Sequence, residues 1–313
     1  MSALICGSFA YDTIMVFQDR FKNHILPDKV HMLNVAFHVP DLRREFGGCA
    51  ANIAYNLNLL GGKALPMGTV GRDFAPYAEW LDQHGIPRDH IKEINSTYTA
   101  QAFITTDQDD NQITAFHPGA MDYAHEVRVS DADGVTIGIV SPDGRQGMID
   151  HAEQFVEAGI PFVFDPGQAM PLFTGDDCRL FIEQATWVCV NDYESQLLQD
   201  RTGWSPHDIA GMVEALIVTR GGKGSYIYHR DKRIDIPVAP VTAIVDPTGC
   251  GDAFRGGLLY GLMNGVDWEV TGRIAALMGA IKIEQHGTQN HCFTLDEFRD
   301  RYQAAFGDVL EAV

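Results

Sequence analysis

The 313 residues contain no C-x-x-C pair, no G-x-x-x-x-G-K-[ST] loop and no G-x-G-x-x-G behind the first apolar run. Those absences argue against a zinc ribbon or dithiol redox site, a P-loop nucleotide fold and a dinucleotide oxidoreductase. No window approaches about 18 uninterrupted apolar residues, so no membrane-spanning helix is expected. The first residues carry no basic stretch and meet Gly7 and Asp12 too early for the apolar core of a secretory signal. Basic residues are scarce, 23 Lys+Arg against 42 Asp+Glu, a formal charge of −19. Such a surface repels polyanions, which excludes general binding of nucleic acid or an anionic membrane and requires any phosphate ligand to be held locally. Six cysteines without metal-ligand spacing fit free thiols in a reducing cytoplasm.

What the chain does contain is ample core material, 45% apolar and 21% charged residues, over a length that suits one large α/β unit with an insertion. Short β-branched or aromatic runs at 3–6, 135–140, 161–164, 187–190 and 216–219 alternate with helical stretches at 48–60, 77–84, 147–158, 192–200 and 207–214. Apolar strands alternating with amphipathic helices predict βαβ units around a mainly parallel sheet covered on both faces. Chemistry is then expected at the C-terminal edge of the strands. Residues 11–46 and 96–118 break the rhythm with polar–apolar alternation, as in Gln101-Ala102-Phe103-Ile104-Thr105, and with turn residues at 109–111. They predict antiparallel strands of a small sheet that covers a pocket. No long linker separates the two patterns, so a single domain over 1–313 is expected to carry this lid.

The segment Asp246-Pro247-Thr248-Gly249-Cys250-Gly251-Asp252 follows a strand-like run at 242–245 and leads into the helical Gly256-Gly257-Leu258-Leu259. Gly249 and Gly251 lack a Cβ, which lets the amides of Gly249, Cys250 and Gly251 turn toward a phosphate, and the following helix adds its positive end. Asp252 falls in the first helical turn, where the dipole favours the carboxylate, so a low pKa is expected. For these residues alone, a helix N-cap with a tight turn is the alternative.

Residues 246–254 resemble the signature of the ribokinase-like (pfkB) carbohydrate and nucleoside kinases, usually D-T-x-G-A-G-D-x-F, with departures at Pro247 and Cys250. The likeness extends over almost the whole chain. Gly7-Ser8-Phe9-Ala10-Tyr11-Asp12 is similar to the family's first strand and substrate-hydroxyl Asp, and Phe46-Gly47-Gly48-Cys49-Ala50-Ala51-Asn52 resembles its G-G-x-x-x-N box. The resemblance thus implies acceptor-binding roles for Asp12, Gly47, Gly48 and Asn52. Asn191-Asp192-Tyr193-Glu194 is similar to the N-x-x-E motif, which implies Mg2+ served by Glu194 through water, with Asn191 at the nucleotide. The loop Thr219-Arg220-Gly221-Gly222-Lys223-Gly224 resembles the T-x-G-x-x-G nucleotide loop; outside this context it reads as a hairpin connection. Gly287 and Gln289 fall where the family closes over the ATP adenine. Asp246, with backbone near Thr242 and Gly287, falls where many relatives hold a monovalent cation such as K+. A metal reading of His286 and His291 lacks a suitably spaced carboxylate or thiolate.

The fold so implied is an α/β three-layer sandwich with a mainly parallel central sheet and a small antiparallel β lid. The activity implied is transfer of the ATP γ-phosphate to an alcohol, with Asp252 as base and the 249–251 turn as anion cradle. Among the family's branches the chain looks most like the bacterial adenosine or purine nucleoside kinases, through Phe116-His117-Pro118-Gly119-Ala120-Met121 and Phe164-Asp165-Pro166-Gly167-Gln168 as well as the boxes above. Met121 and Gln168 are therefore taken as acceptor-binding candidates. Phe9, Tyr11, Phe37, Phe116 and Met121 are expected to cover a planar base, or else to be ordinary core. Arg255 is read either as a phosphate contact or as a surface residue. A ribokinase- or fructokinase-type sugar kinase and a catalytically silent nucleoside-binding sensor are the competing readings. Partners are limited to nucleoside and ATP, and the sequence does not choose between a monomer and a homodimer.

Overall fold

The computed structural model describes residues 1–25, 34–109 and 111–311. The chain runs through β1 (Ser2–Cys6), β2 (Ala10–Val16), β3 (Asp41–Gly47), α1 (Cys49–Leu59), β4 (Lys63–Gly71), α2 (Ala75–Gln83), β5 (Ile91–Ile94), β6 (Ala100–Thr106) and β7 (Gln112–His117). It continues through β8 (Ile137–Val140), α3 (Arg145–Ala158), β9 (Phe162–Phe164), α4 (Gly175–Gln184), β10 (Trp187–Asn191), α5 (Asp192–Thr202) and α6 (Pro206–Ala210). The last part holds β11 (Ala215–Thr219), β12 (Ser225–His229), β13 (Lys232–Ile236), α7 (Cys250–Met263), α8 (Trp268–Ile283) and α9 (Leu295–Phe306).

Among the described residues the strands form a nine-stranded sheet, ordered β13-β12-β11-β10-β9-β8-β1-β4-β5, and a four-stranded sheet, ordered β3-β2-β6-β7. From β11 to β5 every pairing in the large sheet is parallel; β12 and β13 extend it antiparallel. Alternate residues of one strand face opposite sides of a sheet, and the core follows that rule. Ala3 and Ile5 of β1 join one core with α1, α7 and α8, while Leu4 and Cys6 join the other with α3 and α4. Ala215 and Ile217 of β11 separate from Leu216 and Val218 in the same way. Strands with no polar face therefore read as continuous apolar runs, and the three-layer α/β sandwich follows from burying both sides.

Three local expectations need correction. Residues 242–245 form no strand: the amides of Val245 and Asp246 donate to Ile283 O at the end of α8 (2.9 and 3.1 Å), and Thr242 N donates to Glu284 Oε1. A helix end offers unpaired carbonyls, and this β-branched run satisfies one of them instead of joining a ladder. The helix expected at 207–214 stops at Ala210, before Gly211. In the small sheet the outer pairs are antiparallel, but the central pair β2–β6 is parallel. Residues 26–33 and Asp110 of the expected lid segments lie outside the described residues. Among the described residues no helix is long and apolar enough to cross a membrane.

Candidate active site

Strands β1, β8, β9, β10 and β11 run parallel, so Gly7, Ser141, Asp165, Asn191 and Thr219 fall at one edge of the large sheet. Near that edge α7 begins. Its N-cap, Gly249, has φ 77° and no side chain to cap the helix, and a Cβ there would stand 2.9 Å from Thr288. The helical ladder opens with Ala253 N donating to Gly249 O (2.9 Å), so the amides just before it are end donors with no partner inside the helix. Cys250 N is the exception within the expected cradle, because it donates to Pro247 O and closes the turn (3.2 Å). Gly249 and Gly251 supply the amides that remain.

Asp252, in the first turn of α7, does not have the low pKa expected from the dipole. Burial raises it to about 6, against the lowering effects of the Asn52 hydrogen bond and the Arg255 charge. Desolvation outweighs the helix end here. Its orientation is fixed by a chain of amides: Asn52 Nδ2 donates to Asp252 Oδ2 (2.8 Å), and Gln289 Nε2 donates to Asn52 Oδ1 (2.9 Å) and to Tyr77 OH (2.6 Å). Gln289 Oε1 in turn accepts from Trp80 Nε1 (2.9 Å), and Tyr77 OH donates to Gly47 O (2.7 Å). All the polar capacity of the Gln289 side chain on nitrogen is used in this interior chain, so its expected place at the nucleotide gives way to a supporting one.

Asp12 lies in β2 directly opposite Glu45 of β3. Burial first, then the charges of Asp246 and Glu45, raise its pKa to about 6. Gly47 and Gly48 complete this corner. A Cβ on Gly47 would meet Asp12 Oδ2 at 2.9 Å, and Gly48 has φ 91° with Ser8 O 2.5 Å from the Cβ position. The close approach of the start of α1 to the β1–β2 connection thus requires glycine at Gly48, whereas a side chain at Gly47 would have to displace the Asp12 carboxylate.

Arg255 is not a surface residue, and its guanidinium is engaged inside the protein. It is 5% exposed, and Nε and Nη2 each lie 2.6 Å from a different oxygen of Asp165, itself 2% exposed. Nη1 also donates to Gly251 O (3.0 Å), which ties the α7 entrance to the end of β9. Glu194 Oε2 is 3.9 Å from Arg255 and accepts from Asn191 N, while Oε1 accepts from Asn191 Nδ2 (both 2.8 Å). Burial raises the Glu194 pKa, with Arg255 opposing. Each carboxylate oxygen keeps a second lone pair for water, a donor set that fits a Mg2+ held mainly by phosphates and water.

A sequence profile of the pfkB family carbohydrate kinases matches residues 10–294. The chain belongs to the pfkB family. The nucleoside kinase of Burkholderia thailandensis, solved in complex with inosine, is 52% identical, with 98% of this chain and 99% of that one covered and a TM-score of 0.89. The nucleoside kinase of Methanocaldococcus jannaschii is 30% identical over 272 residues, 86% of this chain and 89% of its own. Its crystal structure, described as an archaeal member of the ribokinase family, superposes with a TM-score of 0.88 over 97% of this chain and 99% of that one.

Other pfkB expectations are dispersed around the same edge. The loop from Thr219 to Gly224 is the β11–β12 hairpin connection, closed by Arg220 N donating to Gly224 O, with Gly221 and Gly222 exposed. Gly287 N donates to Asp246 Oδ2 (3.0 Å). Gln168 is exposed in the turn after β9, and Met121 is half-buried with its carbonyl against Gly144. Phe9 and Tyr11 are fully buried core, edge-on or tilted to Tyr77, so of the aromatic candidates only Phe116 is widely exposed. His291 is buried on Asn56 Oδ1 (2.7 Å), and no metal-binding cluster is formed among the described residues. A cavity of about 260 Å³ lined by Met67, His90, Lys92 and Glu126 shares no residue with this site. Tyr77, Trp80 and Lys282 were missed. Tyr77 and Trp80 carry no sequence signal, but Lys282 stands out as the lone charge in the apolar run Ile274–Ile283.

Proposed function

We propose that this phosphotransferase moves the γ-phosphoryl group of ATP onto the 5′-hydroxyl of adenosine or a related purine nucleoside, with Asp252 as the base. The observation that carries the reading is a partly buried carboxylate of raised pKa, oriented by Asn52, in the first turn of a helix whose entrance amides have no side-chain cap. It is ionised at neutral pH yet basic enough to take a hydroxyl proton late in the transfer. The acceptor oxygen attacks the γ-phosphorus in line as the phosphorus bond to the β–γ bridging oxygen breaks and ADP leaves, the acceptor's proton passes to Asp252, and the amides of Gly249 and Gly251 offset charge on the transferring group. Mg2+ bound with the triphosphate would neutralise further charge, with Glu194 reaching it through water.

Asp12 accepts from the ribose hydroxyls. Asn52 already gives one N–H to Asp252, and the other is left for a ribose oxygen, so one side chain aligns base and acceptor together. Gln168 and Met121 border the acceptor, and Asn191, the Thr219–Gly224 connection and Gly287 border the nucleotide. The small sheet acts as a lid that excludes water on closure. The nucleoside kinases of 52% and 30% identity support a nucleoside over a free sugar. The test is ADP release with adenosine, inosine, ribose and fructose, in wild type and Asp252→Asn. Nucleosides are turned over fastest, and the variant binds nucleoside while turnover falls by about 10³ or more. Faster turnover of ribose or fructose would move the reading to a sugar kinase; near-normal turnover of the variant would reject the base.

A further inference from the structure

Lys282, next to last in α8, is 0% exposed. An ammonium without partners would not be tolerated there. Its Nζ donates to Asp246 O (2.7 Å) and to Gln285 O (3.2 Å). These carbonyls belong to the two segments that frame the entrance of α7. Asp246 opens the turn to Gly249, and Gln285 leads to Gly287, whose amide binds Asp246, and to Thr288, which packs on Gly249.

A monovalent metal ion beside Asp246, implied by the resemblance, does not fit these residues. Each carboxylate oxygen of Asp246 accepts one backbone amide, from Thr248 (2.9 Å) and Gly287 (3.0 Å), and keeps a lone pair, so it is the backbone carbonyl that decides. Its carbonyl already holds the ammonium. A second cation on that carbonyl would face the first at short range in a poorly solvated corner.

We propose that Lys282 is a built-in monovalent cation: its ammonium draws the 246–248 turn and the 285–288 segment together and so positions the Gly249 and Gly251 amides, and the enzyme needs no potassium. Lys282 is a positioning residue, since it touches the backbone of the cradle and not the reacting atoms. The inference rests on the reading of 249–252 as the phosphoryl cradle. A lysine that merely caps the end of α8 would matter for stability alone, and small cations would not replace it.

The experiment measures nucleoside phosphorylation at constant ionic strength in potassium, ammonium or tetramethylammonium chloride. Wild-type turnover changes by less than about twofold among the three salts. Lys282→Ala loses at least about tenfold in kcat with nucleoside affinity by calorimetry unchanged, and potassium or ammonium, but not tetramethylammonium, restores it. A wild-type loss of about tenfold without potassium overturns the proposal. So does a variant that binds nucleoside and either keeps full turnover or gains nothing from either small cation. If the variant does not fold, the wild-type salt series decides alone. Normal turnover of Asp252→Asn would instead remove the cradle reading, an outcome the wild-type salt response does not share.

Discussion

Helices α5 and α7 begin near the same edge of the sheet, and they begin in opposite ways. At α5 the side chains of Asn191 and Glu194 form a reciprocal capping box, so the first amides are spent on the protein itself. At α7 glycine holds the N-cap in a left-handed conformation, no side chain caps it, and the carboxylate of Asp252 is turned to Asn52 instead of to its own amides. A helix end that folding has already satisfied can only be structural or a water-mediated support. One left open beside a basic carboxylate can grip an anion while a proton moves.

The largest test of this contrast exchanges each carboxylate for its amide. Asp252→Asn should lower kcat by about 10³ or more, whereas Glu194→Gln should cost about tenfold to a hundredfold and raise the Mg2+ requirement, as expected of a partner acting through water. Equal effects would erase the distinction. Next comes pH. Asp252 and Asp12 both have pKa values raised to about 6, and Asp252 must be ionised to accept the proton. Log kcat/KM should therefore stay level above about pH 7 and fall as pH drops through about 6, by one unit per pH unit or more where both groups titrate. A profile flat to pH 5 would contradict the raised pKa. Gly249→Ala should lower kcat by about tenfold, because a Cβ costs about 1–2 kcal/mol in the left-handed region and meets Thr288. The smallest effect belongs to Asn191→Ala, which removes a cap worth about 1 kcal/mol, read as a lowered Tm with turnover changed only a few-fold.

The large sheet was legible because its strands are buried on both faces, and in runs such as Ala215–Thr219 the first four residues are all apolar and buried, leaving no alternation to confuse the pattern. The small sheet was legible as strands, but not in its central parallel pairing, since alternation gives the face of a residue and not the direction of its neighbour. Residues 242–245 misled for a related reason: β-branched composition predicts a strand, but only the end of α8 decides where the amides go. The place of Gly249, Gly251 and Asp252 at the entrance of a helix could be read from spacing. The pKa of Asp252 could not, because it depends on burial beneath elements distant in sequence, and the dipole argument alone gave the wrong sign. Arg255 and Gln289 failed likewise: Asp165 and Trp80, their partners, lie 90 and 209 positions away.

The central claim, that the open end of α7 and Asp252 together hold the group in transfer, is tested most directly by a crystal structure with ADP, Mg2+, inosine and aluminium fluoride as a planar mimic of the phosphoryl group. Fluorides within about 3 Å of the Gly249 and Gly251 amides, with the 5′-hydroxyl hydrogen-bonded to Asp252, are the predicted result. A mimic bound away from that turn, or an acceptor hydroxyl out of reach of Asp252, would contradict it.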